Sequence, residues 1–146
     1  MRHSALRRIA LGAALVFGLW PAPVEPLPRS PALIRQQLET SLQQQLQALS
    51  ALDEPDRAQK LTWEAYVQMR AAHGNMIINA SNTKFPDPLF PLADRRIEQA
   101  RAQILSAHDA LKSRKTWNAS SNPIDVARKH LTEAVRLTRI IVATTF

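Results

Sequence analysis

The sequence predicts an all-α fold, an up-down-up-down four-helix bundle preceded by an N-terminal signal or anchor segment and a proline-rich strap. Three observations carry this. Four stretches repeat apolar residues at helical spacings of three and four, and each is bounded by proline, asparagine or a proline-rich connector. The connections between them are short, which favours antiparallel neighbours. The chain begins with Arg2, Arg7 and Arg8 followed by an uncharged run, Ile9 to Trp20.

The basic start and short apolar run have the form of an export signal, so residues 1–24 are read as a signal peptide or an uncleaved anchor. A cut after Gly18 places Val16 and Gly18 at the two positions that favour small residues. No Ala-x-Ala stands near the end of the run. Twelve residues rise only about 18 Å as a helix, short of a hydrocarbon core of about 30 Å. The expected location is the periplasm, or the inner-membrane face with the segment retained. Residues 25–31 form the strap. Pro21, Pro23, Pro26, Pro28 and Pro31 hold this region extended, because proline fixes φ and disfavours helix in the residue before it.

Residues 32–146 are assigned to the bundle. Ser30-Pro31 is a helix start, serine as N-cap and proline at the first position. Ile34, Leu38, Leu42, Leu46 (with Gln45), Leu49 and Leu52 form the first stripe. The glutamines at 36, 37, 43, 44, 45 and 47 are read as its solvated side. The second helix begins at Pro55-Asp56, carries Ala58, Leu61, Ala65, Met69, Ala72, Met76 and Ala80 on one face, and frays by Asn79 to Thr83. Gly74 within it suggests a bend or a close helix contact.

Lys84 to Pro91 holds three prolines, two phenylalanines and a leucine. It is read as a stiff connector whose aromatic rings plug one end of the bundle. If any segment contacts a partner, Phe85, Pro86, Pro88, Leu89, Phe90 and Pro91 are the candidates. The third helix is expected over Leu92 to Thr116, with Ala93, Ile97, Ala100, Ile104, Ala107 or His108, and Leu111 inward. Lys112-Ser113-Arg114-Lys115 falls at its end, where cations complement the helix dipole. Asn122 caps the fourth helix and Pro123 opens it. Ile124, Ala127, Leu131, Ala134, Val135, Thr138, Ile141 and Val142 form its stripe.

Composition excludes several classes. There are no cysteines, so disulfides, thiolate metal sites and covalent haem attachment are absent. The net charge is +7, but Arg2, Arg7 and Arg8 lie in the leader, leaving a remainder near +4. The remaining cations are dispersed, which argues against a nucleic-acid face. Two of the three glycines fall in the leader, so no glycine-rich phosphate loop exists. Gly-x-Ser-x-Gly is absent. Glu39, Glu64, Glu98 and Glu133 lie on separate helices, and no carboxylate pair for acid–base work is evident.

The expected function is therefore non-enzymatic: an exported, envelope-associated bundle with a structural or protein-interaction role and no cofactor. Its partners are other envelope proteins or the inner-membrane surface. The alternative is a haem- or divalent-metal-binding bundle. With the third and fourth helices antiparallel, His108 and His130 fall at nearly the same level, with Met69 and His73 lower on the second. That architecture is similar to the cytochrome b562 type, without its sequence pattern. The Glu-x-x-His signature of di-iron bundles is absent, since His130 and Glu133 stand in reverse order. A leucine-rich first helix, Trp63, and Phe90-Pro91-Leu92 followed by Arg95-Arg96 resemble small exported proteins of integrative conjugative elements, the RAQPRD type. The resemblance covers about residues 33 to 96, lacks the naming motif and is not taken as membership.

Overall fold

The computed structural model describes residues 31–82, 90–118 and 120–145. The leader, the strap before Pro31 and connector residues 83–89 lie outside the described residues. So do the side chains of Ala80 to Phe90. The described residues form four helices: α1 (Pro31–Ser50), α2 (Pro55–Asn82), α3 (Phe90–Lys112) and α4 (Pro123–Thr145). A 3-10 turn, Arg114–Thr116, follows α3. There is no strand among the described residues, so the β-branched tail Ile140 to Thr145 is helical.

Each helix packs against its neighbours in the order α1, α2, α3, α4, and α4 closes back on α1. Side-chain pairs give the directions. Ser41 meets Ala65 while Gln37 meets Asn75, and Gln103 meets His130 while Arg96 meets Thr144. Rising numbers on one helix pair with rising or falling numbers on the next according to direction, and both pairs here run antiparallel. The connections at 51–54 and 113–122 therefore share one end, the turn end. The start of α1, the end of α2, the start of α3 and the end of α4 share the other, the open end.

The interior follows a seven-residue repeat. Buried positions fall at spacings of four and three on all four helices: 34, 38, 41, 45, 48 on α1, with 52 just beyond its end; 58, 62, 65, 69, 72, 76 on α2; 93, 97, 100, 104, 107, 111 on α3; 127, 131, 134, 138, 141 on α4. Within each heptad one position is small and the other larger. Ala58, Ala65 and Ala72, then Ala93, Ala100 and Ala107, then Ala127 and Ala134, recur every seven residues. Small residues let the backbones approach, and Met69, Ile97, Ile104 and Leu131 fill the alternate positions. Such a seam imposes left-handed, knobs-into-holes packing.

This corrects the first-helix stripe. A step of four at residue 38 placed Leu42, Leu46 and Leu49 inward, and these are only half-buried. Ser41, Gln45 and Ala48 take the fully buried positions. Gln45, which stood both beside the stripe and among the solvated glutamines, lies in the core. It is tolerable there because its amide is satisfied. Its Nε2 donates to Ser41 Oγ at 3.1 Å and to Thr138 Oγ1 at 3.1 Å. Ser41 donates to the Ala65 carbonyl (2.8 Å) and Thr138 to that of Ala134 (2.7 Å). Two apolar clusters lie on either side, one around Met69, Ile97 and Ile104, the other around Leu52, Leu111 and Leu131.

Helix ends follow the capping residues. Asn122 Oδ1 accepts from the Ile124 N–H at 2.8 Å. α3 begins at Phe90, two residues before the expected start, because Pro91 in the first turn forfeits no intrahelical hydrogen bond. α3 stops at Lys112, and Arg114 donates to the Leu111 carbonyl at 2.7 Å while pairing with Asp56 and Gln59 of α2. Arg114 of the basic cluster is thus occupied in capping and in α2–α3 contact.

Gly74 makes no close contact, and α2 continues through it without interruption. A Cβ there would meet nothing within 4 Å, and its φ is ordinary. Gly74→Ala is accordingly expected to stabilise the protein by about 0.4–1 kcal/mol, by restricting the unfolded chain. A raised thermal midpoint with unchanged helical circular dichroism is the readout.

Candidate functional site

The four heptad seams leave chemistry only on the flanks, and the polar side chains gather along the α2–α3 seam. α2 contributes Trp63, Tyr66 and His73; α3 contributes Asp94, Glu98, Arg101 and His108. Trp63 stacks against Tyr66 with ring centroids 5.4 Å apart and against His108 at 5.1 Å. The Arg101 guanidinium lies 5.8 Å from the Tyr66 ring centroid. Between Tyr66, Glu98, Arg101 and Leu105 is a shallow depression of about 210 Å³.

Arg101 continues inward to His73. It is the only possible donor in that pair, so His73 Nδ1 accepts, at 2.7 Å. This assigns the ring proton to Nε2, which donates to Asp94 Oδ1 at 2.6 Å. The imidazole is buried, and both its nitrogens are committed. His73, Asp94 and Glu98 also place three ligating atoms within 4.8 Å of one another. A histidine and two carboxylates suit a divalent cation. Ligation through Nε2, however, would need the proton at Nδ1, facing a guanidinium that cannot accept it. The arrangement as it stands is a hydrogen-bonded staple between α2 and α3.

The other sequence candidates are separated. His108 lies beside the core positions Ala107 and Leu111, facing α2 and Trp63. His130 lies on the opposite flank of α3, where its Nδ1 is 2.6 Å from Gln103 Oε1. The equal level expected of the two histidines therefore does not bring them into a shared contact. Met69 is fully buried among Ile97, Ile104 and their neighbours. Of the proposed contact loop, Phe85, Pro86, Pro88 and Leu89 lie outside the described residues, and Phe90 and Pro91 belong to the first turn of α3.

His108 carries an unsatisfied group. Its Nδ1 is buried without a hydrogen-bond partner, with Asp109 Oδ1 3.6 Å away. Such a group costs about 1–3 kcal/mol. His108→Phe keeps a ring against Trp63 and removes the orphan, so it is expected to raise stability by about 1 kcal/mol. A fall in the urea midpoint would assign the imidazole a polar partner.

The α3–α4 flank is an open groove of about 840 Å³ lined by Gln103, Arg128, His130 and Glu133, among others. Arg128 is paired with Asp125. Arg136 donates to both Glu133 oxygens, at 2.9 and 2.5 Å. That hydrogen bonding holds the Glu133 carboxyl below the usual carboxylate range, with the Arg136 charge adding to it. The pair's contribution is present at neutral pH and fades as pH falls through this lowered value.

Sequence reasoning missed the staple. His73 was weighed only as a ligand beside Met69, and Asp94 was not singled out. No local spacing links residues 73, 94 and 101; only the antiparallel register of α2 and α3 does. No protein-family model matches the chain, and no curated protein or solved structure aligns with it.

Proposed function

We propose that this is an exported, envelope-associated bundle that works by contact with other envelope components and carries out no reaction. The leader with its three arginines and apolar run supports export, and the proline strap supports a tethered or spaced attachment. One observation above all supports contact: the aromatic platform on the outside of α2. Trp63 and Val67, one turn apart, are each 45% exposed. Trp63 is held by stacking on Tyr66 and His108. Large apolar side chains held rigid on a surface lose little entropy on binding, and aromatic residues of this kind dominate interface energies.

A photo-crosslinking residue in place of Val67 is expected to trap a discrete envelope adduct in the native cell. The same residue at Gln43, on the exposed side of α1, is expected to trap none. An alkaline phosphatase fusion to the C-terminus should be active, since that enzyme requires export. Phe85→Ser with Phe90→Ser tests whether the connector shares the contact, through the yield of the same adduct. No adduct at 67, or an inactive fusion, overturns the proposal.

The second reading, a metal-binding bundle, has the His73, Asp94 and Glu98 cluster in its favour. Elemental analysis after growth with zinc and manganese separates the two readings. The contact reading expects no stoichiometric metal. A bound metal that is lost in His73→Gln would replace it.

A further inference from the structure

The outward line of α2 is unlike those of the other three helices. Asp56, Lys60, Trp63, Val67, Arg70 and Gly74 are exposed at spacings of four and three, the heptad step of the buried seam on the opposite side. Trp63 and Val67 stand at its middle, each 45% exposed. At mid-helix the outward lines of α1, α3 and α4 carry charged, polar or small side chains instead, such as Glu39 and Gln43, Gln99 and Ala102, and Thr132 and Arg136. A heptad repeat is matched by a second helix, whose side chains follow the same period.

Gly74 is exposed on this line, and a Cβ there would meet nothing within 4 Å. No contact inside the chain therefore requires a glycine, which weakens a helix relative to alanine. It leaves a notch on the outside of α2, eleven residues from Trp63, or about 16 Å along the helix. The steps from 63 to 67, 70 and 74 are four, three and four, and they read the same in either direction. A second α2 turned end for end over this line meets it in register. Each Trp63 then falls opposite the other copy's Gly74, and each Val67 opposite the other copy's Arg70.

The charges suit the same register. Glu64 borders the line, half-buried. Neither Glu64 nor Arg70 takes part in an ion pair among the described residues. In the antiparallel pairing Arg70 lies only about 4.5 Å along the axis from the level of the other copy's Glu64. A guanidinium reaches that far while its stem covers Val67. A parallel pairing would instead set Arg70 on Arg70 and leave a gap between two glycines.

We propose that a second copy of this chain covers the outer face of α2, in a two-fold antiparallel contact that seats each Trp63 in the other copy's Gly74 notch and pairs Arg70 with Glu64 across it. A two-fold contact uses one patch twice, so bump, notch and opposite charges must all lie on that patch, as they do here. An aromatic side chain filling a notch at the centre of a contact is where interface energy concentrates. This deepens the contact role proposed above by naming its partner, and it rests on that reading of the Trp63 platform.

The exported chain is measured by sedimentation equilibrium in a detergent of matched density, so that a retained apolar leader does not associate copies. A concentration-dependent dimer is expected. Gly74→Gln fills the notch from outside with a good helix former. It is expected to weaken dimerisation about tenfold with the helical circular dichroism unchanged. Glu64→Arg and Arg70→Glu are each expected to weaken it about tenfold by setting like charges together. Combined, they reverse the pair and restore the dimer. The two sites are not helix neighbours within one chain, so the rescue reports a contact between copies.

A monomer at every concentration, a dimer indifferent to Gly74→Gln, or a double variant no tighter than the single ones each overturns the proposal. If the purified chain is monomeric while the crosslinker at 67 traps an adduct whose mass is not that of two copies, the face belongs to another protein. The contact role then stands and this proposal fails. A dimer that behaves as described alongside an inactive phosphatase fusion leaves this proposal standing and removes export.

Discussion

Ile104→Ala is expected to lower stability by about 2–5 kcal/mol, towards the upper part of that range. Ile104 is fully buried, and its neighbours along the α3 seam, Ala100 and Ala107, are fully buried alanines. The cost of such a truncation depends on how far the surroundings collapse into the space. Alanine has no rotamers with which to fill it, and the small positions have already brought the backbones close. The cavity therefore persists. Leu105, next in sequence but only half-buried, serves as the control and should cost far less as alanine. Urea unfolding followed by helical circular dichroism measures both. A loss at Ile104 no greater than that at Leu105 would mean that the seam is not closed as described.

The second large effect is at Gln45. Gln45→Ala is expected to cost about 2–4 kcal/mol, because it opens a cavity and strips Ser41 and Thr138 of their amide donor. Gln45→Leu nearly conserves volume and buries no new polar group. The two hydroxyls keep their helix carbonyls. Its cost is expected to stay within about 1.5 kcal/mol. Both variants remove the amide and only Gln45→Ala also removes volume, so the loss seen in Gln45→Leu measures what the amide supplies. A buried polar residue at a heptad position sets register more than stability. Gln45→Leu should therefore shift the midpoint much less than Gln45→Ala does, while amide hydrogen exchange along α1 becomes less uniform. If Gln45→Leu is as damaging as Gln45→Ala, the hydrogen bonds themselves hold the α1–α4 contact.

Much of the architecture was legible beforehand because it rests on local signals. Pro31, Pro55, Asn122 and Pro123 mark helix starts by their own backbone chemistry, and each stands where a helix begins. The inward sets of α2, α3 and α4 were close to correct because alanine, isoleucine and methionine alternate there with plainly polar residues. α1 was harder. Leucine and glutamine both recur on it, and a step of four rather than three at residue 38 selects Leu42 over Ser41. Hydrophobicity favours the leucine. The heptad period, shared by all four helices, favours the serine, and the packing follows the period. The alanines seven apart on α2 and α3 were the signal that would have set this register.

The candidate chemistry was less legible. His108 and His130 were placed at one level by counting along antiparallel helices, and counting cannot tell which flank of α3 each side chain occupies. His73, Asp94 and Arg101 were brought together by the docking of α2 against α3, across separations of 21 and 28 residues.

Composition and periodicity alone determined the helical class, the number of helices, their approximate limits and the exclusion of cysteine chemistry, because these depend on residues within a few positions of one another. Only the packed structure decided that a glutamine belongs in the core, that the histidines serve opposite flanks, and that His73 joins Asp94 and Arg101. Those features arise where four helices meet. Which side chains then become neighbours depends on the register and rotation of each helix, and no single helix encodes either by itself.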